Sequence, residues 1–185
     1  MEMKGEQLVP ASQADTWAAL NDPEILKACV PGCESIDRVT DTEYGVQMTA
    51  RVGPVAAKFK GKLTLSDLNP PNSYSIAFEG QGGVAGFGKG GAQVQLAPEG
   101  DGTRLIYQVK ASVGGKIAQI GSRLVDAAAR KLADDFFTAF NDKVASLHGP
   151  GTHEDHDEHD EHHPEPVPRD PDLPDVKASS LAFFA

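Results

Sequence analysis

Residues 116–147, KIAQIGSRLVDAAARKLADDFFTAFNDKVASL, carry apolar side chains at Ile117, Ile120, Leu124, Ala128, Leu132, Phe136, Phe140, Val144 and Leu147. The steps are all of three or four residues, the spacing that puts side chains on one face of a helix. The pattern predicts one long amphipathic helix of roughly 45 Å at about 1.5 Å per residue. Such a helix has an apolar face that must be covered, and the rest of the chain has to supply the cover.

Upstream, the period is two. Val55–Leu68 alternates, with Ala57, Phe59, Gly61, Leu63 and Leu65 on one side and Lys58, Lys60 and Lys62 on the other. Ile36, Tyr44, Val46, Met48, Ala50 and Val52 alternate before it, and Gly53-Pro54 is the turn between. Alternation of this kind marks strands with one buried face. Asn69-Pro-Pro-Asn72 turns the chain into a strand through Tyr74, Ile76 and Phe78. Val84–Ala97 and Arg104–Val113 form a further pair joined by Pro98–Gly102. At the front, residues 3–9 make a strand. Ser12 then caps a helix through Trp17 and Leu20, which breaks at Asp22-Pro23 and resumes as a short helix toward Ala28. The fold class is α+β: about seven antiparallel strands curved around the long C-terminal helix, with two short helices after the first strand.

Glycine is concentrated in one place, EGQGGVAGFGKGG at 79–91. Gly86, Gly88 and Gly91 satisfy a G-x-G-x-x-G spacing, but a dinucleotide fingerprint must open a helix, and AQVQLAP continues as a strand. Lys89 lacks the Ser or Thr of a phosphate loop. Glycine in strands instead permits strong bending and close backbone approach, so this segment predicts a curled sheet with room beneath it.

Charge divides the chain in two. Residues 1–148 hold 15 Lys+Arg against 17 Asp+Glu, whereas 149–185 hold 2 against 10. The reading is a domain over 1–148 and a disordered acidic His/Pro-rich tail over 149–185 with a short apolar end. A near-neutral body with an anionic tail is repelled by phosphate backbones, so no nucleic acid is expected as a partner. Neither a bilayer-spanning run nor a secretory signal is read, and the expected location is cytoplasmic. Cys29 and Cys33 flank the Pro31-Gly32 turn. They read as structural free thiols, since neither a second cysteine pair nor a nearby histidine completes a zinc set.

Several local sequences acquire a common meaning when taken in order: CVPGCE at 29–34, VGPVAAKFKG at 52–61, GQGGVAGFGKGGAQVQL at 80–96, GDGTRLIYQVKASVGGKIAQIGSRLVD at 100–126 and ARKLADDFFTAF at 129–140. Together they resemble the carbon monoxide dehydrogenase G-subunit (CoxG) family, within the helix-grip superfamily of START-like (SRPBCC) and birch-pollen-allergen-like domains. The resemblance implies a non-catalytic accessory protein that binds a hydrophobic ligand, with a respiratory quinone, menaquinone or ubiquinone, as the expected one and no cofactor of its own. It also implies a partner, a molybdenum-containing carbon monoxide dehydrogenase or related hydroxylase, and peripheral association with the inner face of the cytoplasmic membrane. The alternative reading is an assembly or maturation factor, or a membrane anchor for that enzyme, without a functional ligand.

Phe59, Phe78, Val84, Phe87, Leu124, Phe136 and Phe140 are the expected ligand-pocket wall; the plainer reading of each aromatic is core filling. No catalytic set is read, and His148 at the helix end is assigned a structural role. Leu181, Phe183 and Phe184 form an apolar tip able to sit at a membrane interface, or simply a frayed terminus. The Lys58, Lys60 and Lys62 row is a second membrane candidate. The run HEDHDEHDEHH at 153–163 reads as an acidic spacer in preference to a metal site, because nothing preorganises a coordination sphere.

Overall fold

A computed structural model describes residues 1–148. The acidic tail, its histidine run and Leu181, Phe183 and Phe184 lie outside the described residues. Within them the chain runs β1 (Glu2–Val9), α1 (Gln13–Leu20), α2 (Pro23–Cys29), β2 (Cys33–Arg38), β3 (Glu43–Val52), β4 (Val55–Asn69), β5 (Ser73–Gln81), a single 3-10 turn (Gly83–Ala85), β6 (Phe87–Glu99), β7 (Gly102–Gly114), α3 (Lys116–Gln119) and α4 (Ser122–His148).

All seven strands form one sheet in the order β1-β7-β6-β5-β4-β3-β2, and every neighbouring pair is antiparallel. Strands β2 to β7 meander. The α1–α2 connection carries the chain from β1 at one edge to β2 at the other. Local chemistry explains the two short helices: the Ser12 hydroxyl accepts from the Asp15 N–H, the Asp22 carboxylate accepts from the Glu24 N–H, and Pro23 takes the first turn, where its missing N–H costs nothing.

The long helix is not continuous from Lys116. Gly121 adopts φ +96°, a left-handed conformation that interrupts the ladder, so a four-residue helix precedes the 27-residue α4. The strand expected from Val84 likewise begins only at Phe87. Gly83 and Gly86 take φ +60° and +112°, and the residues between them coil into the 3-10 turn. The hairpin after β6 is tighter than expected, because Glu99 pairs with Gly102 across a two-residue turn.

The main core is built at one end of the sheet. Phe137, Phe140 and Val144 from the C-terminal half of α4 pack with Val9, Leu105, Val94, Leu96 and Tyr74 from the sheet and with Ala19, Leu20 and Cys29 from α1 and α2. Tyr107 stacks on Phe137 with ring centroids 5.2 Å apart, Phe136 stacks on Phe140 at 5.6 Å, and Trp17 meets Tyr74 edge-on at 5.2 Å. Burial raises the Tyr74 phenol far above its ordinary range, so it stays neutral within this core.

Thr103 is fully buried and donates its hydroxyl to the Ala11 carbonyl at 2.8 Å, tying β7 to the chain just before α1. Thr103→Val removes the donor and strands a buried carbonyl. The expected cost is about 1–3 kcal/mol, read as a fall in melting temperature of about 2–4 °C for each kcal/mol lost, while Thr103→Ser keeps the bond and loses far less.

Candidate functional site

The inward face of the sheet can be followed strand by strand from the register. Val46 and Met48 on β3 lie beside Gly61 and Phe59 on β4, Leu63 beside Phe78 on β5, and Phe78 beside Gly90 on β6. This face is the one that bears the core residues Tyr74, Val94 and Leu96. Beyond the core it is covered incompletely, for Val46, Met48, Phe59, Leu63 and Phe78 are all half-buried.

Along this face runs a row without side chains. Gly61 pairs with Gly80, and Gly80 with Gly88, so three adjacent strands expose bare backbone at one level. The strands are also coiled tightly together. A Cβ on Gly61 would lie 2.7 Å from the Glu79 carbonyl, and one on Gly90 would overlap the Lys110 carbonyl and sit 2.7 Å from Ala111 Cα. Gly80 and Gly88 have ordinary space instead, with the nearest atoms at 3.9 Å and 3.7 Å. The ring of Phe59 folds over Gly82, where any side chain would collide with it.

The long helix also carries small residues on one face. Val125, Ala129, Ala133 and Phe137 follow one another at four-residue steps on one face of α4. Val125 and Phe137 at the ends are buried, and the two alanines between them are half-buried. Beyond the main core both the helix and the sheet are thus short of filling side chains, and this sparsely filled apolar stretch of the inward face is the trough. A separate open depression of about 570 Å³ lies beside Met1 and Glu2, where Glu79, Lys89, Lys110 and Ser112 belong to the outward face of the sheet.

The expected wall residues separate into groups. Phe59 and Phe78 stand half-buried on the inward face, and Phe136 is half-buried and packed against the main core. Phe140 is fully buried within the main core. Leu124 is 46% exposed at the start of α4, its Cδ1 3.4 Å from the point a Gly53 Cβ would occupy. Val84 and Phe87 lie away from the trough: Val84 is 85% exposed on the 3-10 turn, and Phe87 is on the outer face of β6, its ring over Gly114. Sequence reasoning missed the glycine row, Met48 and the Ala129–Ala133 pair. Alternate glycines in β6 were a signal, but their alignment with Gly61 and Gly80 exists only across strands.

The polar groups supply little chemistry. Tyr107 is half-buried on the inward face, and burial, followed by the nearby Asp134 charge and opposed by Arg130, raises its pKa and keeps it a protonated donor. Burial likewise raises both cysteine thiols, Cys29 against the opposing pull of Lys143 and Cys33 against that of Lys27. His148 places Nδ1 3.5 Å from the Asp15 carboxylate, a link between the end of α4 and α1. Among the described residues no group of three or more His, Cys, Asp or Glu is placed to hold a metal, and no helix is long and apolar enough to cross a membrane.

The family model for the carbon monoxide dehydrogenase G-subunit (CoxG) matches residues 5–145. The chain belongs to the CoxG family. The match spans the whole sheet except its first residues and nearly all of α4, so the trough lies inside the CoxG domain. A conserved protein from Geobacillus kaustophilus of known structure is 30% identical, with 80% of this chain and 97% of that one covered and a TM-score of 0.75. A START superfamily protein from Mycobacterium smegmatis, 16% identical, shares the fold at a TM-score of 0.60 over 79% of this chain and 98% of its own. The Zhui aromatase/cyclase from a Streptomyces species, 11% identical, does so at 0.61 over 82% and 98%. No curated protein matches the sequence. The CoxG domain therefore has the helix-grip architecture of START-like proteins.

Two outcomes follow from the trough's construction. Gly90→Ala, which drives a methyl group into the β7 backbone, is expected to destabilise by about 1–3 kcal/mol, whereas Gly80→Ala leaves the melting temperature within a degree or two. Because both thiols are raised, thiolate is scarce at neutral pH; iodoacetamide should alkylate Cys29 and Cys33 in the folded protein more slowly than free cysteine, and unfolding should abolish the difference.

Proposed function

We propose that this protein is a non-catalytic hydrophobic-ligand carrier that serves a molybdenum hydroxylase of the carbon monoxide dehydrogenase type. The ligand is a respiratory quinone, menaquinone or ubiquinone, exchanged with the inner face of the cytoplasmic membrane, to which the protein binds peripherally. The observation that carries the reading is the cross-strand glycine row Gly61-Gly80-Gly88 on the inward face of the sheet, beyond the main core, on a domain whose long helix carries the small half-buried residues Ala129 and Ala133. A core that merely needed stability would fill such space, since lost packing costs about 24 cal/mol per Å³ of cavity. A flat ring with an isoprenoid chain fits an apolar trough with half-buried aromatic walls, and the Tyr107 hydroxyl, held protonated, is a hydrogen-bond donor on the same face. Family membership supports the enzyme partner. The protein's part is to hold and release the ligand, and oxidation and reduction belong to the partner.

The test is organic extraction of the purified full-length chain followed by mass spectrometry, together with fluorescence titration by menaquinone and ubiquinone. Co-purified or titratable quinone is expected, and Gly80→Leu, which places a side chain on the open floor without striking backbone, should weaken binding at least tenfold with the fold intact by circular dichroism. A chain that carries no lipid, binds neither quinone and still co-purifies with the hydroxylase would favour an assembly factor instead.

A further inference from the structure

The glycine end of the domain has a surface unlike the rest. Three stretches meet there: residues 50–57 around the β3–β4 turn, 81–88 around the 3-10 turn, and 111–125 from the end of β7 through α3 into α4. Leu124 and Ile120 stand 3.4 Å and 3.5 Å from the Cβ position of Gly53, and the 3-10 turn packs on both β4 and α3. These stretches contain Arg51, Lys116 and Arg123 and no Asp or Glu. The other residues of 1–148 hold 12 Lys+Arg against 17 Asp+Glu, so charge is segregated along the molecule. All three cations are exposed, and none forms an ion pair with another described residue. The Lys58 and Lys62 side chains of the β4 row, by contrast, are paired with Glu34 at 3.4 Å and Glu43 at 3.2 Å.

The same end exposes apolar side chains: Val84 on the 3-10 turn at 85%, Phe87 at the start of β6 at 49% and Leu124 in the first turn of α4 at 46%. The N-terminus of the 27-residue α4 points its positive dipole end the same way. Protruding apolar groups ringed by unpaired cations match the interface of an anionic bilayer, with aliphatic and aromatic tips at the acyl boundary and guanidinium and ammonium groups at the phosphates. A protein partner is the weaker fit, since three apolar side chains on separate elements, a turn, a strand and a helix, offer no flat apolar patch from which to build a packed interface core.

We propose that this glycine end, carried by Arg51, Lys116, Arg123, Val84, Phe87 and Leu124, is the face by which the domain docks on an anionic phospholipid membrane. The inference rests on the carrier reading for its purpose. The end of the trough opposite the main core then faces the bilayer, and an apolar ligand passes between the two without crossing water.

Vesicle co-sedimentation of the full-length chain tests it, with phosphatidylglycerol–phosphatidylcholine vesicles against phosphatidylcholine alone. Binding is expected only to the anionic vesicles and to weaken in roughly 0.5 M salt. Arg51→Gln/Arg123→Gln should lower the partition coefficient about 25-fold, at about fivefold per cation, and Val84→Ser/Phe87→Ser should lower it at every anionic lipid content. Both variants should titrate quinone in detergent micelles as the wild type does, while Gly80→Leu should lose quinone and keep vesicle binding. That contrast separates a failed docking face from a failed carrier. Unchanged vesicle partition in both tip variants overturns the proposal, as does loss of all partition on replacing Leu181, Phe183 and Phe184 with serine while the tip is intact.

Discussion

The stack of Tyr107 on Phe137, with Phe140 sealed behind it, decides how the remainder of the domain is arranged. It fixes the C-terminal half of α4 tightly against β7 and the α1–α2 corner, and it concentrates the large buried side chains at one end of the sheet. A straight helix of about 40 Å at about 1.5 Å per residue cannot follow a coiled sheet along its whole length. Where the two diverge the chain has a choice between large side chains that bridge the gap and small ones that leave it. It places Ala129 and Ala133 on the helix and glycine on the floor. One end thus supplies stability and the other supplies space, a division that lets a binding surface stay underfilled without dissolving the fold.

The glycines perform two distinct jobs within that underfilled half. Gly61 and Gly90 sit where neighbouring backbone leaves no room for a Cβ, and they permit the coiling. Gly80 and Gly88 have room and lack side chains all the same, which makes them part of the surface and no part of the sheet's mechanics. Ala85, Ile117 and Val125 are buried at the glycine end outside the main core and hold its turns in place.

Much of this was legible in the sequence, for physical reasons that can be named. The alternation of Val55–Leu65 against Lys58, Lys60 and Lys62 gave β4 its faces directly, because a strand's side-chain period is two regardless of context. The period of α4 was equally plain, but its break at Gly121 was hidden, since a single glycine inside an apolar helical repeat looks tolerable until its left-handed φ is seen. Phe59 and Phe87 show the limit best. Both are aromatic and border glycines, yet one faces inward and the other outward. The 3-10 turn at Gly83–Ala85 consumes three residues before β6 begins, and a shift of one residue reverses every side chain that follows. The glycine row was invisible for a related reason, because cross-strand alignment depends on register between segments far apart in the chain.

The closure of the sheet also sets the order in which the domain can be made. Among the described residues β1 pairs with β7 alone, with Glu2 opposite Lys110, and α4 follows later still. During synthesis at about 5–20 residues per second, the first strand waits without a partner while the meander β2 to β6 assembles, and the helix that completes the core emerges last. Long-range closures of this kind fold slowly compared with local ones. The apolar inner face of the growing sheet is therefore uncovered for some seconds in every newly made molecule, before the helix that grips it exists.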